Sequence, residues 1–405
     1  MKAMTETTLV SFLGKSEIDR KTGYRRATYR FPDGVVSQTP FFGLALREHV
    51  SPDRMVLLGT AGSMWDLFVE HLAVTSGDED ARVVLIDAVQ SAAVTQEILD
   101  RLRQVVTRSL GLPCDLRLIP YGRDAHEQTA ILSAIAQAAP RGRVVIDVTH
   151  GFRHLAAVGL TAAFFLERTA KLDVAGVYYG ALEMTQDGVT PVLRLDGLSA
   201  TQEWIDALDH FDANGDYGVF APLLIRDGVA EDKARCLGEA AFYERTFNLL
   251  DARRKLQTFL PELDHELSGA SELFRRRLVE RLDWAHGAGL AEHQRRLAYL
   301  YLGRQDFVRA AVFGWESLVT RECNARGFDG GDFAAGRQPA IEALEGEIND
   351  GEHPDRKREA YWNLKNLRNA LAHGNPPRLP KYQRMMQDVT RLAGALDASF
   401  KRLLA

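Results

Sequence analysis

Arg368, Asn369 and His373 fall in one short segment near the C-terminal end of the chain. A histidine can move a proton to or from a ribose hydroxyl, and an always-charged arginine can stabilise negative charge building on phosphorus. These are the parts that metal-free cleavage of a phosphodiester needs, with the neighbouring 2′-hydroxyl as nucleophile. Such a reaction is specific to RNA and leaves a 2′,3′-cyclic phosphate and a 5′-hydroxyl. The spacing alone is weak evidence, because it recurs at Arg281 and His286. A structural role is expected for that second pair.

A second concentration of polar residues is Asp147-Val148-Thr149-His150-Gly151-Phe152-Arg153. Thr149 can donate a hydroxyl, Gly151 can open the backbone, and Arg153 can grip a phosphate with two parallel bonds. Asp147 reads in three ways: an Asx turn, a helix cap, or an acceptor for a ribose hydroxyl. His150 is either a ligand contact or a solvated loop residue. Two other stretches end an apolar run in the same manner: Gly14-Lys15-Ser16, and Gly59-Thr60-Ala61-Gly62-Ser63. Ser63 suits the cap of the next helix. The first stretch is no phosphate-binding P-loop, since Leu9 stands where that pattern requires glycine. The absence of G-x-G-x-x-G after the first strand argues against a nicotinamide-dependent enzyme.

The elements that must position these residues follow from apolar periodicity. Runs at 9–13, 55–58, 83–86, 116–119 and 144–146 predict buried strands, with helices near 62–75, 93–110, 124–138 and 153–169. That alternation predicts a parallel sheet covered on both faces. Runs at 174–179 and 191–195 predict a hairpin at the sheet edge. Beyond about residue 200 only helical spacing remains, so a boundary is expected at 197–201. The fold class is an α/β Rossmann-like domain, 1–200, followed by an all-α domain, 201–405. In the second, Leu364, Leu367 and Leu371 form the core stripe of a helix that ends at Gly374. Asn369 and His373 share a face of that helix; Arg368 lies about 140° round from His373.

A length of 405 residues allows two or three domains, and a net charge of −5 gives no global signature for nucleic acid. Any RNA contact must come from a local cluster, such as Arg356-Lys357-Arg358 with Lys365. Cys114, Cys236 and Cys323 have no zinc spacing and read as reduced thiols, so no metal is expected. The first eight residues lack a signal-peptide pattern, and the most apolar stretch, 155–166, is too short to cross a bilayer. A cytoplasmic location is expected.

Asp147-Val148-Thr149-His150-Gly151, extended to Arg153, resembles the signature of CRISPR-associated CARF-domain proteins of the DxTHG-motif branch. The resemblance reaches back through Phe12-Leu13-Gly14, Tyr24, Tyr29 and residues 59–66, and on to residues 178–183. It implies a homodimer that binds a cyclic oligoadenylate across its two-fold axis, tetraadenylate foremost and hexaadenylate as the other ring, with no cofactor. Gly14, Lys15, the loop Gly59, Thr60, Ala61, Gly62, Ser63, and the loop Asp147, Thr149, His150, Gly151, Arg153 would then bind that ligand. Lys15-Ser16 and a longer insertion before Tyr24 depart from the Thr-Gly turn of relatives. Arg368 to His373, with Asn369 in the polar slot, is similar to the R-[polar]-x-x-x-H motif of HEPN ribonucleases. That likeness implies a single-stranded RNA endoribonuclease of type III CRISPR antiviral defence, whose site combines Arg368, Asn369 and His373 from two protomers. Trp315 and Glu316 read either as core and rim or as packed behind that site. Whether Thr149, His150 or Lys15 also cleaves the messenger stays open. So does an alternative, a non-catalytic sensor whose helical half docks a partner.

Overall fold

The structure is a computed structural model that describes residues 6–15, 18–19, 23–24, 26–72, 79–286 and 289–405. The chain divides into two compact units, Met1–Ser199 and Ala200–Ala405. In chain order the first unit forms β1 (Thr7–Leu13), β2 (Ile18–Asp19), β3 (Gly23–Tyr24), β4 (Ala27–Arg30), β5 (Val36–Thr39), α1 (Phe42–Val50), β6 (Arg54–Gly59) and α2 (Trp65–His71). Next come α3 (Glu79–Gln90), α4 (Gln96–Leu110), β7 (Cys114–Leu118), α5 (Ala125–Ala138), β8 (Arg143–Asp147), α6 (Arg153–Phe165), β9 (Asp173–Gly180) and β10 (Val189–Arg194).

The large sheet has the order β5-β4-β10-β9-β8-β1-β6-β7. Five adjacent strands, β9 to β7 in that order, are all parallel. In the interior strands β6 and β8 the apolar runs are unbroken because both faces are covered. Leu9 and Leu13 of β1 pack with α1, α2 and α4, while Val10 and Phe12 face α5 and α6. The chain builds outward from β1 to β6 and β7, then returns to place β8 on the other side of β1. The crevice at which the order reverses therefore opens between the ends of β1 and β8, where sheets of this kind bind ligands.

Two expectations are corrected. Residues 83–86 lie in helix α3: Ala81, Leu85 and Ala88 point inward at helical spacing, while Val83, Val84 and Ile86 face out. A four-residue apolar run cannot separate strand from helix; here the inward spacing around it is three to four. The hairpin of β9 and β10 is antiparallel as expected, yet it is internal. β10 pairs on its far side with β4, and β5 forms the edge. At the other edge, the amide of Gln96 on α4 donates to Leu116 O and accepts from Leu118 N, both at 2.8 Å. It occupies the positions another strand would take on β7.

The second unit contains no strand among its described residues. Most of α7 (Asp196–Asn214) belongs to it, followed by α8 (Ala221–Arg226), α9 (Glu231–Arg245), α10 (Leu249–Phe259), α11 (Ser271–Leu282) and α12 (Leu290–Gly303). It closes with α13 (Phe307–Arg326), α14 (Gln338–Asn349), α15 (Asp355–His373), α16 (Pro380–Met385) and α17 (Val389–Leu403). Aromatic and leucine side chains from most of these helices share one core, including Trp204, Phe211, Tyr301, Leu364 and Phe400. Among the described residues no helix is long and apolar enough to cross a membrane.

That core contains a carboxylate. Glu244 on α9 is fully buried and accepts a hydrogen bond from Tyr301 on α12, whose hydroxyl also receives Arg309 Nη1 at 3.1 Å. Burial pushes Glu244 up to about 7 from an ordinary 4.5, despite the opposing hydrogen bonds and arginine charges. The folded unit thus holds a proton between pH 4.5 and 7 that the unfolded chain releases. Stability is expected to fall as pH rises through that window, by about 3 kcal/mol in all. Urea unfolding of Glu244→Gln at pH 5 and pH 8 should lose most of that difference; an unchanged difference would place its origin elsewhere.

Candidate functional site

Three strand ends meet at the crevice in the first unit. β1 runs into Gly14, β6 into Thr60, and β8 into the loop that leads to α6. A β carbon on Gly14 would sit 2.3 Å from Gly151 N and 2.9 Å from its Cα, so the β1 and β8 loops are in backbone contact. Gly151 has φ +109°, a conformation that favours glycine. The β6 loop is tied to the end of β1 by Ser63 Oγ donating to Leu13 O at 2.7 Å and Met64 N donating to Gly14 O at 3.0 Å. Ser63 is therefore a clamp between loops. It is not the expected cap, for Met64 occupies the N-cap position of α2.

Together these loops enclose a cavity of about 210 Å³. Of the residues expected from sequence, Gly14, Lys15, Thr60, Gly62, Ser63 and Gly151 line it. Gly59 does not; its missing side chain makes room for the Trp65 ring, 2.6 Å from a β carbon there. Ala61 and Arg153 also lie off the wall. Arg153 is the exposed first residue of α6, and its charge acts on Tyr179 and Glu183, which are joined by a 2.7 Å hydrogen bond. Ser16 lies outside the described residues, as does the Tyr24 side chain.

Asp147, Thr149 and His150 do not line the cavity either. Their polar atoms are engaged within the domain. The Asp147 carboxylate is fully buried, accepting from Ser11 Oγ at 2.6 Å and from Thr149 N at 2.8 Å, the latter closing an Asx turn. Burial pushes it up to about 6. Thr149 Oγ1 accepts from Gly180 N at 2.8 Å, joining the loop to β9. His150 Nε2 accepts from Phe42 N at 3.1 Å, so the imidazole is neutral with its proton on Nδ1. Desolvation holds it down at about 4. It offers no cation to a phosphate.

Asp147→Ala should cost about 3 kcal/mol, because it leaves two buried donors without an acceptor. Asp147→Asn keeps an acceptor for Thr149 N and should stay within about 1 kcal/mol of wild type. Urea unfolding at pH 7 distinguishes the two; equal losses would mean that the negative charge, not the turn, holds the loop.

Sequence reasoning missed part of the wall: Leu13, Ala92, Tyr121, Phe152 and Leu155. Tyr121 lies just past β7, after Ile119 and Pro120, and Phe152 lies inside the β8 loop, so a search for aromatics just past strand ends would have found both. Ala92 follows α3 and was hidden by reading 83–86 as a strand. Phe152 is half exposed and lies 5.9 Å from Tyr121 and 5.8 Å from His154, whose ring it stacks against. Arg123 covers Tyr121 at 4.6 Å. The cavity mouth thus carries flat aromatic surface beside Lys15, a combination suited to bases and phosphates.

Residues 8–183 match the family model for the CARF domain of the CRISPR system endoribonuclease Csx1. The first unit is thus similar to a CARF domain over these residues. The chain is also 26% identical over 285 residues to the CRISPR-associated protein MJ1674 of Methanocaldococcus jannaschii. That alignment covers 64% of this chain and 44% of the relative, so the match spans less than half of that protein. Among solved structures, Enterococcus italicus Csm6 bound to cyclic hexa-2′-fluoro-hexa-dAMP aligns over 99% of this chain and 94% of its own, at a TM-score of 0.37 and 10% identity. The cavity described above lies within the matched residues.

In the helical unit, α15 ends at His373 with Gly374 in the left-handed conformation, φ +66°, as its spacing predicts. Leu364 and Leu367 are buried and Leu371 packs at the core margin. Arg368 Nη1 donates to Asn369 Oδ1 at 2.9 Å, which draws the guanidinium toward the face that Asn369 shares with His373. Arg368 Nε is buried without an acceptor, and His373 is exposed. Trp315 packs on Tyr361 of α15 at 5.6 Å, whereas Glu316 pairs with Arg337. Lys365 pairs with Glu345, so it adds no free charge. Arg281 pairs with Asp212 while His286 faces Asp283, in keeping with a structural role for the second pair.

Proposed function

We propose that the protein is a type III CRISPR effector whose CARF domain binds a cyclic oligoadenylate and whose helical unit, of HEPN type, cuts single-stranded RNA. The observation that carries this reading is the Arg368–Asn369 hydrogen bond beside an exposed His373, in a chain whose other unit is similar to a CARF domain. In-line attack needs one proton removed from the 2′-hydroxyl and another delivered to the departing 5′-oxygen on the opposite side of phosphorus. One histidine cannot serve both sides at once. Two copies of α15, one from each protomer of a homodimer, supply two histidines and two arginines. The P–O5′ bond breaks as the O2′–P bond forms, giving a 2′,3′-cyclic phosphate and a 5′-hydroxyl. No step calls for a metal ion.

In the CARF domain, backbone amides of the glycine loops and Lys15 suit phosphates, while Phe152 and Tyr121 suit stacked adenines. Occupancy there would bias the pairing of the two α15 helices. The test incubates the full chain with cyclic tri-, tetra- or hexaadenylate and a fluorescent RNA reporter in EDTA. Cleavage stimulated by one ring size is expected, tetraadenylate foremost. A bound ring with RNA left whole at high protein concentration would make the helical unit a docking module instead.

A further inference from the structure

The helical unit contains a second polar cavity, of about 390 Å³, between α10, the turn that follows it, α11 and the turn after that. Its walls are mostly aliphatic, with Leu263 and Val279 among them, and Arg253, Gln257, Asp264 and His286 add polar groups. Arg253 and Gln257 are four residues apart on α10 and share its face.

The charges around it are unevenly matched. Every other cation on these two helices has a carboxylate: Arg254 with Asp251, Lys255 with Glu239, Arg275 with Glu272, Arg276 and Arg277 with Glu280, and Arg281 with Asp212. Arg253 has no carboxylate among the described residues, and its Nε is buried without an acceptor. Asp264, on the same cavity, likewise has no cation. Burying a guanidinium donor without an acceptor is costly, so such a group is expected where a ligand supplies the acceptor.

We propose that this cavity is a nucleotide site, in which Arg253 holds a phosphate, the aliphatic walls take the base, and Asp264 accepts from ribose hydroxyls. A volume of about 390 Å³ suits one nucleotide unit and exceeds what a lone anion fills. A guanidinium fork fits phosphate oxygens. The site does not rest on the ribonuclease reading, since it involves neither Arg368 nor His373.

The test uses 5′-AMP as probe and isothermal titration of the full chain carrying Gly14→Ala, which is expected to weaken binding at the competing crevice of the first unit. Arg253-dependent binding of one AMP per chain is expected. Arg253→Met should weaken it at least about tenfold, and adenosine, lacking the phosphate, should lose a similar factor. Val279→Trp fills the cavity without altering charge and should also block AMP, which guards against a folding defect in the arginine variant. AMP bound equally by Arg253→Met, or adenosine bound as tightly as AMP, overturns the proposal. Competition by a 2′-O-methyl RNA hexamer then tells whether the nucleotide belongs to a strand or is free. Because no cleavage is read, an inactive Arg368 site leaves the result intact.

Discussion

Arg368→Ala and His373→Ala should each lower RNA cleavage by about a thousandfold while cyclic oligoadenylate binding stays unchanged. The arginine variant loses the charge that offsets the extra negative charge on phosphorus; the histidine variant loses a proton carrier. In a composite site each substitution acts twice, once per protomer. Arg368→Lys should fail nearly as badly, because a compact ammonium lacks the planar fork that bonds Asn369 with one arm and presents parallel donors to a phosphate with the others. Asn369→Ala frees the guanidinium without removing it, and its loss should be smaller, up to about 100-fold. Initial rates on a fluorescent reporter, with circular dichroism to verify the helices, measure these effects. Full activity in His373→Ala would remove α15 from the reaction altogether.

The second large effect is expected at Gly14. A methyl group there meets the backbone of Gly151, and backbone atoms cannot rotate aside as a flexible side chain can. Gly14→Ala must push the β1 and β8 loops apart, opening the cavity at the position where both line it. Affinity for cyclic tetraadenylate should fall about 100-fold or more, since ligand contacts made from two loops depend on their spacing. RNA cleavage at saturating messenger should survive. Gly197→Ala, with nothing within 4 Å of its β carbon, is the control and should bind as wild type does. Equal affinity in both variants would exclude the crevice as the messenger site.

The two sites differ in how far they could be read in advance. The α15 segment is local: leucines at 364, 367 and 371 orient the helix, Gly374 ends it, and Asn369 and His373 come to one face by helical geometry. Only the reach of Arg368 toward Asn369 needed coordinates. The crevice of the first unit is assembled from loops far apart in the chain. Its motif residues were identifiable, but their directions were not. Asp147, Thr149 and His150 look like ligand contacts in a line of sequence, and three long-range partners, Ser11, Gly180 and Phe42, turn them inward.

Apolar runs and their periods were enough to specify a parallel sheet with helices on both faces, a helical second half, and the chemistry that Arg368, Asn369 and His373 can offer, because these depend on neighbours a few residues away. Strand order, the inward turn of the Asp147 loop, the aromatic mouth at Tyr121 and Phe152, and the unmatched charge of Arg253 arise only when distant segments pack. A hydrogen bond between residues 31 to 136 positions apart leaves no periodic trace in the chain, and it is such bonds that decide which side chains face a ligand and which support the loop.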